Sequence, residues 1–282
     1  MQKTNFAALF LLISLLTSSS LFAQNPGAYL GELTWPEAEQ RFQKTPVVII
    51  PFAGGAKEHG PHLPMNADQK VMEYLCQKAV EEVPVIVAPP VLHGWFAAFR
   101  EYPGTEISDP DIFRQYLFEI SKSLIKSGAQ RIVFLNMGVT KASGLPIAIV
   151  AREVRVQYRT PTLLISWDDL ETDEALEFLD QKMGGHADES ETSINLFLQP
   201  DLVKMENTVT DYWDFYPMKK YVGYRPGLFS RDKNDPMYSE TGHFGDPTLA
   251  AAEKGRKILE IMTNNWLNAL RGFSKDPLPG KK

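Results

Sequence analysis

Two short stretches hold most of the residues in this chain that could do chemistry. The first is Lys57-Glu58-His59-Gly60-Pro61-His62, with Asp68 six residues on. The second runs from His186 through Asp188, Glu189 and Glu191 to Ser193. The chain has only five histidines, at 59, 62, 93, 186 and 243, and each has a glycine within two residues. An imidazole in a glycine-flanked loop can turn toward a shared site. Imidazole and carboxylate together suit zinc, iron or manganese, and His59 and Asp68 form the natural pair. A hydrogen-bonded structural loop explains the same residues equally well. The Glu-His-Gly-Pro-His run is not the zinc-protease helix motif, because Gly60 and Pro61 interrupt the turn that would align the imidazoles. In the second stretch, a helix is expected to open at Glu191. A carboxylate there answers the helix dipole, and Ser190 is the expected cap.

Further signals are weaker. His93-Gly94-Trp95 and Trp167-Asp168-Asp169 each follow an expected strand, where His93, Trp95 and Trp167 could line a substrate pocket or only pack against its rim. His62 is expected to hydrogen-bond within its own loop, and His243 to fix a turn. The single cysteine, Cys76, sits in helical spacing, reads as a buried small hydrophobe and excludes an internal disulfide.

The elements that must position these residues alternate. Apolar runs at Val47–Ile50, Val85–Ala88, Arg131–Leu135 and Thr162–Ser166 read as strands. Helical spacing covers Gln69–Glu82, Asp109–Gly128, Leu145–Gln157, Glu191–Phe197 and Ala250–Leu270. Ser108 is the expected cap of the second helix, Pro110 sits in its first turn, and Gly128 ends it. This alternation predicts one α/β domain with a mostly parallel sheet and helices on both faces. Ligands of such sheets bind beyond the carboxyl ends of the strands, where Lys57, Glu58 and His59 lie. Asp211–Gly245, rich in Tyr, Pro and Gly, reads as long loops.

The net charge of −6 is spread along the chain with no basic block, so a small-molecule substrate is expected and nucleic acid is not. Residues 1–23 read as a secretory signal peptide: Lys3, an apolar stretch from Phe6 to Leu16, and a polar stretch ending near Ala23. Residues 24–282 are then the mature α/β domain, periplasmic or secreted, with no membrane association after the leader is removed. No cysteine follows the cleavage site to carry a lipid.

The order of motifs resembles the creatininase (creatinine amidohydrolase) family. Glu58 to Pro64 with Asp68, Gly31 to Trp35, Tyr102-Pro-Gly-Thr105, Gly128 to Asn136, His186 to Ser193, and Gly245 to Gly255 all match its motifs in sequence order. The resemblance covers nearly all of the mature chain. It implies a creatininase-like three-layer sandwich, a two-metal amidohydrolase site and a homo-oligomer, often a hexamer. The aromatic run Tyr212 to Tyr216 would suit such an interface.

Against the family pattern, Lys57 stands where a ligand Glu is expected. Met137-Gly138 replaces Gly-His after the third strand, Thr140 replaces another candidate Glu, and Glu101 replaces a His. The first ion has therefore lost its private ligands. The resemblance leaves His59, Asp68 and Glu191 to hold one divalent ion (Zn, Mn or Fe), with the Lys57 ammonium in place of the other. Glu58, His186 and Glu189 are then the expected proton carriers, and Lys141 a second positive charge toward substrate. The expected function is hydrolysis of a C–N bond, amide or cyclic amide and other than peptide, in a small molecule. A non-catalytic periplasmic binding relative with a decayed metal site is the second expectation, and a ring-forming structural subunit the third.

Overall fold

Five strands make up the sheet: β1 (Ala28–Tyr29), β2 (Val47–Phe52), β3 (Ile86–Val87), β4 (Arg131–Asn136) and β5 (Thr162–Ser166). All pair in parallel, in the order β1-β3-β2-β4-β5. The computed structural model describes residues 25–45, 47–107, 109–138, 140–212, 229–235 and 238–280, apart from the side chains of 140–142. The leader and Ser108 lie outside these residues, as does the aromatic run beyond Tyr212. Among the described residues no helix is long and apolar enough to cross a membrane.

Side chains of β2 alternate between two cores. Val47 and Ile49 face a core shared with α2 (Ala67–Glu82), α7 (Glu189–Leu198) and α8 (Ala252–Lys275), centred on the fully buried Trp266. Val48, Ile50 and Phe52 face the other core, shared with α1 (Trp35–Lys44), α3 (Pro110–Ser127) and α4 (Thr140–Tyr158). Cys76 is buried in the first core. This is a single α/β domain with the expected three layers.

The expected strands and helices form, with shifted ends. The cap of α3 is Asp109, whose carboxylate accepts from Asp111 N and Ile112 N. The cap of α7 is Asp188 rather than Ser190, so that helix opens two residues earlier than expected. β1 and α1 lie outside the expected elements, because a two-residue strand carries no period and the apolar stripe of α1 buries only Phe42. Two short helices, α5 (Trp167–Leu170) and α6 (Asp173–Leu176), follow β5. Since β3 and β4 flank β2 on opposite sides, the chain reverses direction of winding at β2. The crevice at such a reversal is where open α/β sheets bind ligands.

Candidate active site

The loop after β2 builds the site. Gly54 makes room for it: a Cβ there would lie 2.7 Å from Lys57 Cβ and 3.2 Å from Asp68 Oδ2. Lys57 N donates to Met65 O at 2.9 Å, which folds the loop back on itself. Gly60, at φ +68°, makes the reversal and donates its N–H to Glu58. The turn delivers Lys57 and His59 to Asp68, which lies in the first turn of α2.

Lys57 Nζ forms an ion pair with Asp68 Oδ2 at 2.8 Å, and both side chains are almost wholly buried. His59 Nε2 faces Asp68 Oδ1 at 2.8 Å, and its Nδ1 faces Lys57 O at 2.8 Å. Burial opposes the charge on Asp68, but Lys57 and His59 outweigh it and hold its carboxyl below the usual range. The carbonyl requires Nδ1–H, and Nε2 then faces the carboxylate oxygen at hydrogen-bond distance.

His186 reaches the site from the loop before α7, where a two-residue bridge with Phe244 anchors it. The next residue, Ala187, is held at φ +46°, which aims its N–H at Glu191 Oε2, 2.6 Å away. His186 Nε2 lies 2.8 Å from Glu58 Oε2. Burial keeps the imidazole well below its ordinary pKa, with Lys57 and His59 adding to the effect. Burial also pushes Glu58 up to about 7, against the pull of Gly60 N–H. A neutral imidazole and a carboxyl poised near neutrality can pass one proton between them. Burial raises Glu191 well above the usual carboxylate range, although Lys57 opposes this.

Of these groups Lys57, His186 and Glu191 open on a cavity of about 430 Å³, whose walls also include Phe99, Trp167 and Glu171. Phe99 stacks on Phe229 with ring centroids 4.9 Å apart and lies 4.3 Å from the His186 ring.

Lys57, Glu58, His59, Asp68, His186 and Glu191 thus lie around one site, and Trp167 lines the cavity. Other expected site residues do not. Glu189 is buried away from the cavity, where it accepts from Asp180 N and Gln181 N and from Lys254. It braces the loop before α7 and cannot carry protons to a ligand. His93 is exposed, and Trp95 packs beside the second core; neither lines the cavity. The side chain of Lys141 lies outside the described residues. His62 bonds across to Thr192 Oγ1 at 2.9 Å instead of within its loop, and its ring meets that of His243 at 5.5 Å. Glu101 accepts from Arg231 N at 2.7 Å. Sequence reasoning missed Phe99, Glu171 and Asp188 as cavity residues. Asp188 carried a signal as a potential cap two residues before Ser190, whereas Phe99 and Glu171 carried none.

The two expected ion seats differ. The first does not fit a cation, because the Lys57 ammonium already lies on Asp68 and Gly138 offers no donor. A Cβ at Gly138 would stand 2.8 Å from the Phe52 ring, so that position is closed to side chains. The second keeps the donor chemistry of His59, Asp68 and Glu191. The facing of Nε2 and Oδ1 is the geometry a shared cation would relieve. Among the described residues, however, no three His, Cys, Asp or Glu side chains converge to hold an ion as placed.

The chain is similar to the creatinine amidohydrolase of Pseudomonas putida, 26% identical over 266 residues, which cover 86% of this chain and 96% of that protein. It is also similar to the mycofactocin precursor peptide peptidase of Mycolicibacterium smegmatis, 27% identical over 247 residues, covering 85% and 90%. The solved structure of a manganese creatininase superposes with a TM-score of 0.73 at 26% identity, covering 88% of this chain and 99% of that one. The family profile described as creatinine amidohydrolase matches residues 31–270, which takes in β2, the Lys57–Asp68 loop, the His186 loop and most of α8, and the chain belongs to the creatininase family.

Proposed function

We propose that this protein hydrolyses an amide or cyclic-amide C–N bond of a small molecule held in the cavity beside Lys57. The Lys57–Asp68 contact carries this reading, because it fixes a positive charge where an ion would otherwise polarise the carbonyl. Preorganised charge aimed at a developing oxyanion often contributes more than any other effect to such catalysis. Lys57 binds and polarises the carbonyl oxygen. Asp68 holds the ammonium in place, and His59, tied to the backbone through Nδ1, steadies Asp68 from the other side. His186 and Glu58 take a proton from the attacking water and return it to the leaving nitrogen. His59, Asp68 and Glu191 are the residues that would hold a single divalent ion. Such an ion, when bound, supplies a Lewis acid that acidifies water. Relatives named as a creatinine amidohydrolase and as a peptidase support reading the scissile bond as an amide, cyclic or linear. We take the mature chain to be exported after cleavage near Ala23 and to assemble as a homo-oligomer.

A binding role without turnover is the second reading. The closure of Gly138 by Phe52 favours it, since that closure removes a donor position outright. Metal analysis and hydrolysis assays on the mature protein, His59→Ala and Lys57→Met separate the two. The hydrolase reading expects one ion per chain, lost in His59→Ala, and amide turnover that falls at least a hundredfold in Lys57→Met. Lack of turnover on any amide in a broad panel, with or without loaded manganese or zinc, would overturn the hydrolase reading.

A further inference from the structure

Two buried residues of the sequence motifs take no part in the proton transfers or in carbonyl binding. His62 stands three residues after His59, and Thr192 directly follows Glu191. Their side chains meet behind the site, with His62 Nε2 2.9 Å from Thr192 Oγ1. The two residues are 1% and 0% exposed, and neither lines the cavity. Both ends of this contact are anchored. His62 O accepts from Lys204 N at 2.8 Å, and the His62 ring lies edge-on to His243. A Cβ at Gly60 would stand 3.0 Å from His62 Cε1, so the glycine that turns the loop also leaves room for this ring. Thr192 N donates to Asp188 O at 3.0 Å in the first turn of α7. Leu63, next to His62 in the chain, joins Ala67 and Ala187 in a small apolar cluster apart from both cores. Ala67 precedes Asp68 and Ala187 follows His186, so this cluster packs the backs of the same two stretches together.

Among the described residues, two side-chain hydrogen bonds join the loop from Lys57 to Asp68 with the stretch from His186 to Ser193. One is Glu58 to His186, and the other is His62 to Thr192. Turnover asks different things of them. Glu58 and His186 exchange a proton with the reacting molecule, so their contact must change during each cycle. His62 and Thr192 exchange nothing, and a hydrogen bond shielded from water is stronger than an exposed one. It can hold the two halves at one separation while the first contact changes. A catalytic constellation tolerates errors of about 0.5 Å. A misplacement of about 1 Å can cost about a hundredfold in rate.

We propose that His62 is a positioning residue. Through Thr192 Oγ1 it fixes the spacing between the half of the site on the β2 loop, with Lys57, His59 and Asp68, and the half at the start of α7, with His186 and Glu191. This deepens the hydrolase reading and rests on it for its catalytic consequence. Loss of the bond keeps every group of the site but lets the halves drift, so substrate still meets Lys57 while proton transfer suffers.

The test compares Thr192→Val, which keeps the branched shape and removes the hydroxyl, with Thr192→Ser, which keeps the hydroxyl, and with His62→Leu. The first readout needs no substrate. It is the set of imidazole 1H–15N signals of the mature full-length protein, assigned by replacing each of the five histidines in turn, with chelator present so that no ion draws the rings together. In Thr192→Val and His62→Leu the signals of His59 and His186 are expected to shift while that of the exposed His93 stays, and Thr192→Ser should keep them at their wild-type positions. The second readout is turnover of the amide that the wild-type protein cleaves. In Thr192→Val kcat should fall about tenfold to a hundredfold with KM within about twofold, and Thr192→Ser should recover it. Shifts confined to His62 and its neighbour His243, signals that Thr192→Ser leaves displaced, or a rise in KM with kcat unchanged would overturn the proposal. So would failure of both Thr192→Val and His62→Leu to fold by circular dichroism, since the bond would then serve the fold as a whole. A wild-type protein that turns over no amide would overturn only the hydrolase reading, and the imidazole signals would still decide the spacing.

Discussion

Replacing Lys57 with Met leaves the carboxylate of Asp68 buried with only His59 beside it. The relative exposures of the two paired side chains, 3% and 2%, mean that water cannot take over the role of the ammonium. Breaking a buried ion pair by removing one partner destabilises by about 3–5 kcal/mol. For a domain of this size each kcal/mol moves the midpoint by about 2–4 °C, so the thermal transition is expected to fall by roughly 6–20 °C at pH 7. The pH dependence follows from the sign of the shift. In the native protein Asp68 is held below its unfolded value of about 3.9, so its contribution is present above that pH and is lost as the pH falls through the folded value. Without Lys57, burial is no longer outweighed and the carboxyl titrates higher. Protonating it then relieves the buried charge, so the deficit of Lys57→Met should shrink as the pH drops from 7 toward 5. Urea unfolding of both proteins at pH 5, 6 and 7 reads this directly. A deficit under 1 kcal/mol at pH 7, or one that does not change with pH, refutes the placement of a charged Lys57 on a charged Asp68.

Two further outcomes follow from buried carboxylates. Burial pushes Glu171 up to about 7, with Asp188 adding to it, whereas the unfolded value is near 4.3. Its contribution is therefore full below about pH 4 and lost as the pH rises through about 7. Glu171 should add a downward slope across that window, of at most about 1.4 kcal/mol per pH unit, and the slope should flatten by that share in Glu171→Gln when urea unfolding is compared from pH 4.5 to 8. Lys254→Met removes the cation beside the fully buried Glu189, but Lys254 is 22% exposed and Glu189 keeps two backbone donors. A loss of about 1–2 kcal/mol by chemical denaturation is expected, with turnover of the remaining folded enzyme unchanged.

How much of this is legible in the sequence depends on the range of the interaction. The β2, β4 and β5 strands are long apolar runs closed by Gly, Pro or polar residues, and their positions can be read directly. The loop from Lys57 to Asp68 is legible because its residues are close in sequence: a nine-residue span lets His59 and Asp68 be paired before any fold is known. Glu191 and His186 are found through their motif, yet their partners are not. Glu58 meets His186 across 128 residues, and His62 meets Thr192 across 130. Such contacts depend on where β2 and α7 sit relative to one another, which no local pattern encodes. Glu189 is misassigned from sequence for the same reason. A glutamate in the first turn of a helix looks alike whether it faces a cavity or a lysine from α8, and only packing decides between them.

Two separate obstacles stand at the first expected ion seat, the Lys57 ammonium on Asp68 and the Phe52 ring beside Gly138. If Lys57 alone had drifted, restoring a glutamate would restore a seat for an ion. Gly138 lies where the resemblance leads one to expect a histidine, and a Cβ there would stand 2.8 Å from the Phe52 ring. Phe52 is buried and packs against Phe96 and Phe113 with centroids 5.9 and 5.1 Å away. Lys57→Glu by itself should therefore gain little affinity for a second ion, since the introduced carboxylate and Asp68 would be its only protein donors. Lys57→Glu with Gly138→His should do no better and should destabilise the fold, because the new side chain meets the ring. Adding Phe52→Ala opens the space, at a loss of about 3–5 kcal/mol from the core, and only this triple variant should take up a second manganese or zinc. Metal content measured after dialysis, read beside circular dichroism to confirm folding, separates these cases. Full uptake by Lys57→Glu alone would mean that the lysine was the sole obstacle and that the packing around Phe52 has no part in excluding the ion.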